Sequence, residues 1–306
     1  MNLSEKNKNN LMAVLACFLW ATPFVFIKKG LDQASPLLFA GIRFILSGLI
    51  ILPFALSREG SIKKVISAFP SAFKISVLQT YLLYLFFYLG IARTGASTTA
   101  IIVGTSPLIS AITAHFYTKN DRLNLTRTAA FLLGIAGVIM LVINSSASNG
   151  IFSFDVLGII LVFLSCISSG FGNVFVSKNR SDYHPFTLNA IQILTGGIML
   201  TTTASLFERP CYLNMSYGML FIILWLSFIS ACAFTIWFYL LKEKQIKVSE
   251  LNLWKFIIPV IGAALSWIII PEEHPSLLSV SGMILTALSV IIFFSDRKHS
   301  YPDSVK

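Results

Sequence analysis

The sequence predicts an all-α integral membrane protein: ten transmembrane helices arranged as two inverted five-helix repeats around a central cavity. Three observations predict it. Charge-free runs long enough to cross a bilayer recur along the chain, Lys and Arg concentrate in alternate loops, and the two halves repeat each other.

The charge-free windows are 10–27, 44–57, 75–92, 94–118, 128–154, 156–177, 183–207, 210–241, 256–271 and 275–295. About 20 mostly apolar residues cover a hydrocarbon core of about 30 Å. Most windows meet that length, and 44–57 and 256–271 do so once extended across Arg43 and Lys255. Hydrophobic residues make up 56% of the chain and charged residues 12%, against about 25% charged in soluble domains. Ten spans use most of the 306 residues, so 1–306 reads as a single membrane domain with short loops.

Net charge is +10. In a soluble chain that would point to nucleic acid; here it is explained by topology, because Lys and Arg accumulate on the cytoplasmic side. With a cytoplasmic N-terminus and ten crossings, inner segments hold 17 basic residues and outer segments only four, Lys28, Lys29, Arg93 and Arg209. Arg43 and Lys255 stay within spans. The expected location is therefore the cytoplasmic membrane, with both termini inside and no nucleic-acid partner. The first apolar stretch runs on through Trp20 and Pro23 without an A-x-A-like site, and reads as an uncleaved span. Cys17, Cys166 and Cys232 fall in apolar runs, where a thiol behaves as a small hydrophobe. Cys211 sits in an outer loop, and no metal spacing is visible.

The repeat aligns residues 10–144 with 154–295. At an offset of 149, Cys17 meets Cys166, Lys29 meets Lys178, Pro36 meets Pro185 and Arg43 meets Gln192. Pro107 meets Pro259 at an offset of 152, and Gly134 meets Gly282 at 148. Five spans per half is an odd number, so the second half enters the membrane inverted. Inverted repeats are a transporter signature, with the substrate near the midplane between the halves.

The run Phe18-Leu19-Trp20-Ala21-Thr22-Pro23-Phe24, followed by Gly41-Ile42-Arg43-Phe44, resembles the opening of EamA-type members of the drug/metabolite transporter superfamily. Ala96-Ser97-Thr98-Thr99-Ala100 with Ser106-Pro107-Leu108 is similar to the family's fourth span, and Lys247-Val248-Ser249 with Ile258-Pro259-Val260 to its ninth. Pro271-Glu272-Glu273-His274-Pro275 matches its acidic turn after the ninth span. Ala21 stands in place of the usual Gly, and Ser106 and Ile258 in place of the common Glu before each proline. The resemblance implies ten helices, alternating access, and export or exchange of small metabolites such as amino acids.

Charges inside spans are costly and usually face the bundle interior or a water-filled cavity. Arg43 and Lys255 are thus candidate clamps for a substrate anion, the alternative being structural cations that snorkel or bind carbonyls. Tyr81, Tyr84 and Tyr88 recur at i, i+3, i+7 and are expected on one helix face. With Trp20, Trp237 and Trp254 they form a candidate aromatic cavity wall, against plain packing or an interfacial belt. Asn173 and Gln79 either bind substrate or bridge helices. His115 reads as an interfacial histidine. Pro23, Pro107 and Pro259 interrupt spans, as hinges or static kinks.

There is no phosphate-binding G-x-x-x-x-G-K-[ST], no H-E-x-x-H and no G-x-S-x-G, and no acidic residue lies near the centre of any span. The expectation is a secondary transporter without cofactor, metal or catalytic residues, acting on a small molecule as a monomer or homodimer. A lipid-modifying enzyme using Glu272, Glu273 and His274, or a channel, are the competing readings.

Overall fold

Helix α1 (Leu3–Ala21) stops at Thr22, whose hydroxyl donates to the Leu19 carbonyl at 3.0 Å, and α2 (Pro23–Leu31) restarts on proline. Proline is tolerated at that position because the first N–H groups of a helix have no intrahelical acceptor. The first charge-free window is therefore helical but broken midway. The computed structural model describes residues 3–118, 123–147, 155–178, 183–243, 246–258, 260–261 and 277–300.

Helix α3 (Pro36–Glu59) begins after extended Ser35 and ends at Gly60, whose φ of 69° suits a residue without a side chain. Two short helices follow, α4 (Ile62–Ser67) and α5 (Phe69–Ser76), then a π-helical stretch over Val77–Leu82 that leads into α6 (Leu83–Val103). Helices α7 (Ser106–Tyr117) and α8 (Leu125–Ala147) complete the first half. The second half contains α9 (Val156–Lys178), α10 (Pro185–Phe207), α11 (Tyr217–Lys242), α12 (Val248–Leu253) with a 3-10 turn over Trp254–Phe256, and α13 (Leu277–Ser300). Among the described residues the extended pairing is a single bridge between Ala34 and Leu213.

Among the described residues, five stretches are long and apolar enough to cross a membrane: Pro36–Glu59, Phe69–Arg93, Val156–Lys178, Pro185–Phe207 and Tyr217–Lys242. Leu125–Met140 and Val280–Phe293 are shorter apolar helices. The rim carries Phe54, Leu132, Phe221 and Ile284, each more than half exposed, as suits a surface that faces lipid.

One boundary differs from the sequence expectation. The charge pattern places a loop at Arg93, yet the local backbone geometry is helical at each residue from Leu83 to Val103, so the chain turns there without an extended linker. The reversal is present nonetheless. Leu78 accepts a hydrogen bond from Ser168, Gly90 lies against Gly158 and Val162, and Ile102 accepts from Cys166. Contacts that run down α9 and then back up it require the chain to double back between Gly90 and Ile102.

Glycines set the closest approaches. A methyl group on Gly41 would lie 3.0 Å from the Gly197 carbonyl, and one on Gly197 would lie 2.9 Å from the Gly41 carbonyl. Helices α3 and α10 therefore meet backbone to backbone, as small residues allow in membranes. Helices α8 and α13 do the same, since a methyl group on Gly137 would lie 2.6 Å from the Gly282 carbonyl. At one end of the bundle, Glu59 binds Lys64 at 2.8 Å, Tyr183 donates to Ser67, and Lys242 donates to the Tyr183 carbonyl. At the other, Ser35 donates to the Pro210 carbonyl and Ser216 to Gln33.

Candidate functional site

Arg43 lies two turns into α3 and is 3% exposed. Its guanidinium carbon sits 4.2 Å from the Phe44 ring centroid, 5.4 Å from that of Tyr84 and 5.6 Å from that of Tyr88. Its Nε has no hydrogen-bond partner among the described residues, and neither do the buried hydroxyls of Ser47 and Tyr88. Ser47 is one turn further along α3, on the same face. Among the described residues no carboxylate reaches Arg43 or Lys255. A desolvated cation–π contact contributes about 2 kcal/mol, whereas an uncompensated buried charge costs several. The rings and the Tyr84 hydroxyl, which lies within hydrogen-bond reach of the guanidinium, supply no negative charge to balance Arg43.

Lys255 comes from the other half of the chain, on the 3-10 turn after α12. Its ammonium is 4.9 Å from the Trp237 ring and 5.8 Å from the Trp20 ring. The buried thiols of Cys17 and Cys166, the two cysteines aligned by the repeat, both lie within its electrostatic reach.

Aromatic rings connect the two cations. Trp20 touches Trp237 at 4.9 Å and Phe234 at 5.3 Å; Phe234 meets Tyr84 at 6.3 Å, and Tyr84 meets Phe44 at 4.4 Å. Trp20, Tyr84 and Lys255 keep partial exposure beside the buried Trp237 and Phe234. The row joins residues of both halves of the chain. Helices α1, α3, α6 and α11 and the turn after α12 each contribute to it.

Asn173 bridges helices. Its Oδ1 accepts from Gln79 Nε2 at 2.7 Å and Trp237 Nε1 at 3.2 Å, and its Nδ2 donates to Asn252 at 2.9 Å. All its polar side-chain atoms serve protein partners, and the effect is to fix the Trp237 indole beside Lys255.

The tyrosine stripe is split. Tyr84 and Tyr88 flank Arg43, but the Tyr81 hydroxyl sits 3.1 Å from Thr203 on α10. Tyr81 belongs to the π-helical stretch, whose wider turn departs from the 3.6-residue period on which the i, i+3, i+7 face rests. Trp254 is partly buried against the core. Pro23 opens α2 and Pro107 lies in the first turn of α7, after a break at Gly104–Thr105, so each starts a helix rather than bending one. Pro259, Glu272, Glu273 and His274 lie outside the described residues. His115 accepts from the Leu123 N–H at 2.9 Å and so ties the end of α7 to the residues just before α8.

Sequence reasoning missed Phe44, Ser47, Phe234 and Asn252. Ser47 carries a readable signal, its i+4 spacing from Arg43. Phe234 carries none, being one of 26 phenylalanines in an apolar chain. A separate cleft of about 360 Å³ lies between α2 and the start of α11, lined by Phe26, Lys29, Asp32, Gln33, Phe221 and Ile222.

The sequence profile of the EamA-like transporter family matches residues 7–143 and again 156–295. The uncharacterized transporter YoaV of Bacillus subtilis is 24% identical over 269 residues, covering 83% of this chain and 86% of that protein. An uncharacterized transporter of Archaeoglobus fulgidus is 25% identical over 288 residues, covering 92% and 96%. A chloroplastic WAT1-related protein of Arabidopsis thaliana is 25% identical over 284 residues, covering 90% of this chain and 67% of that one. A solved crystal structure at 15% identity has the same fold, with a TM-score of 0.75 over 94% of this chain and 97% of that one. With both halves matched by one family, the chain belongs to the EamA-like transporters and is a multi-pass membrane protein.

Proposed function

We propose that this protein is a secondary transporter that exports or exchanges small metabolites, amino acids and related compounds first among them, by alternating access. In this reading ten helices form two inverted halves, 10–144 and 154–295, in the cytoplasmic membrane with both termini cytoplasmic. The observation that carries it is the aromatic row between Arg43 of the first half and Lys255 of the second. A site assembled from both halves is what rocking halves would open to alternate sides.

Further support comes from the pairing of elements that the repeat makes equivalent. Helix α3 packs on α10, α8 on α13 and α7 on α12, and the family profile matches twice at the expected spacing. The substrate-binding set is Arg43, Lys255, Trp20, Tyr84, Tyr88 and Trp237, with Asn173 as their scaffold and Tyr81 and Trp254 at the margin.

The test is uptake of labelled amino acids, nucleosides, sugars and drug-like cations into liposomes containing the purified protein, without ATP. Movement of at least one class is expected. A ligand found this way should stabilise the parent protein against heat and stabilise Arg43→Ala and Lys255→Ala less. Equal stabilisation of both variants would remove the two cations from the site.

A further inference from the structure

We infer that the transported substrate is an organic anion: its carboxylate binds at Arg43, Ser47 and Tyr88, and its apolar or aromatic part lies along Tyr84, Phe234 and Trp20. This rests on the transport reading above and narrows its small metabolites, amino acids included, to carboxylates that carry no ammonium group.

Three unpaired polar groups carry the inference. Arg43 Nε, Ser47 Oγ and Tyr88 Oη are all buried and all lack partners among the described residues. Buried polar groups are hydrogen-bonded in the great majority of cases, so three neighbours left open together call for an explanation. A planar oxyanion would supply one. It would accept from the guanidinium edge, as carboxylates do from arginine, and from the two hydroxyls.

The charge balance then discriminates among substrates. Both cations of the row lack a carboxylate partner among the described residues. A substrate ammonium would meet two positive charges there and no negative one. A net anion is favoured over a zwitterion, and a zwitterion over a cation. The rings from Tyr84 to Trp20 meet at 5.3–6.3 Å and offer an apolar surface beside the charge. The preferred ligand is therefore a carboxylate bearing an apolar or aryl group.

Phenylacetate, phenylalanine and phenethylamine share a ring and differ in charge, as anion, zwitterion and cation. Purified full-length protein is heated with each at millimolar concentration, and each is then tested for counterflow in proteoliposomes. Phenylacetate should stabilise best and exchange fastest, by about tenfold or more, the scale set by one charged hydrogen bond. Arg43→Gln should abolish that preference. Tyr88→Phe and Ser47→Ala, which keep shape and remove one hydroxyl, should weaken phenylacetate binding by about threefold to tenfold each, and they decide the matter should Arg43→Gln not fold.

Equal or better stabilisation by phenylalanine or phenethylamine overturns the inference. So does phenylacetate binding that all three substitutions leave unchanged, or the absence of any phenylacetate effect on the parent. Binding in the expected charge order without exchange across the liposome membrane upholds the anion site and sinks the transport reading instead.

Discussion

Glu59 and Glu208 cap each other's helices. Glu208, just past the end of α10, accepts from the backbone N–H groups of Leu37 at 2.7 Å and Leu38 at 3.1 Å, at the start of α3. Glu59, the last residue of α3, accepts from the His184 N–H at 2.9 Å and the Thr187 hydroxyl at 3.0 Å, at the start of α10. The two residues stand 149 positions apart, the same offset that aligns Cys17 with Cys166. Each carboxylate thus satisfies exposed donors at a helix N-terminus, where the helix dipole also favours negative charge.

Removing either cap leaves those donors open. Glu59→Ala and Glu208→Ala should each cost about 1.5–3 kcal/mol, the range for hydrogen bonds to charged groups. The sites lie at opposite ends of a helix of 24 residues, about 36 Å long, so the double variant should be additive. Unfolding in detergent measures both; a stability equal to the parent's would refute the capping role.

Gly197→Ala would put a methyl group 2.7 Å from the Ile45 nitrogen and 2.9 Å from the Gly41 carbonyl. Both are backbone atoms, so the helices must part, at a cost of about 1–3 kcal/mol. Gly218→Ala is the control, because its nearest neighbour would be Ser216 Oγ at 3.8 Å. It should be neutral or slightly stabilising, as loss of glycine from a helix commonly is. Paired melting curves distinguish the two.

Asn173→Ala would strand Gln79 Nε2, Trp237 Nε1 and Asn252 Oδ1 in the interior. Each unsatisfied group costs about 1–3 kcal/mol. The variant should unfold several degrees earlier, and Trp237 should lose its fixed environment, visible as a change in tryptophan fluorescence. An unchanged spectrum and melting point would mean the relay is dispensable.

His184 caps α10 through its own Nδ1, which accepts from the Phe186 N–H at 3.3 Å. Burial and the nearby Arg58 charge hold its pKa below the ordinary 6.5. The neutral ring is therefore the form the fold prefers. Stability from this group is present above pH 6.5 and falls as acidification protonates the unfolded chain first, over the interval down to the lowered folded value. His184→Asn keeps a capping acceptor and removes the titration, so its melting temperature should vary less between pH 7 and about pH 5. Parallel pH profiles of parent and variant would refute the assignment.

Cys211 is exposed in the segment between α10 and α11, whereas Cys17 and Cys166 are buried. With cytoplasmic termini that segment faces outward. A membrane-impermeant maleimide added to intact cells should label the parent and not Cys211→Ser. Labelling only after the cells are opened would invert the proposed topology.

The positions of five spans were readable because burial in lipid demands long apolar runs, and that demand is written residue by residue. Arg43 and Lys255 were readable for the same reason: a cation in such a run is conspicuous. What joins them was not. Phe234 and Phe44 look like every other apolar residue until the helices are packed. The Glu59 and Glu208 caps link the end of one helix to the start of another more than 120 residues away, and no local pattern announces such a partner. The Tyr81 register failed because a π-helical turn changes the period that the reading assumed.

The seam between α3 and α10 is glycine against glycine along its middle and tied by a carboxylate at either extremity, which leaves it little slack for sliding. In the proposed transport cycle it would serve as the fulcrum about which the remaining helices swing. Arg43 stands on that seam and Lys255 does not, so the interval between the two cations would gauge how far such a swing had gone.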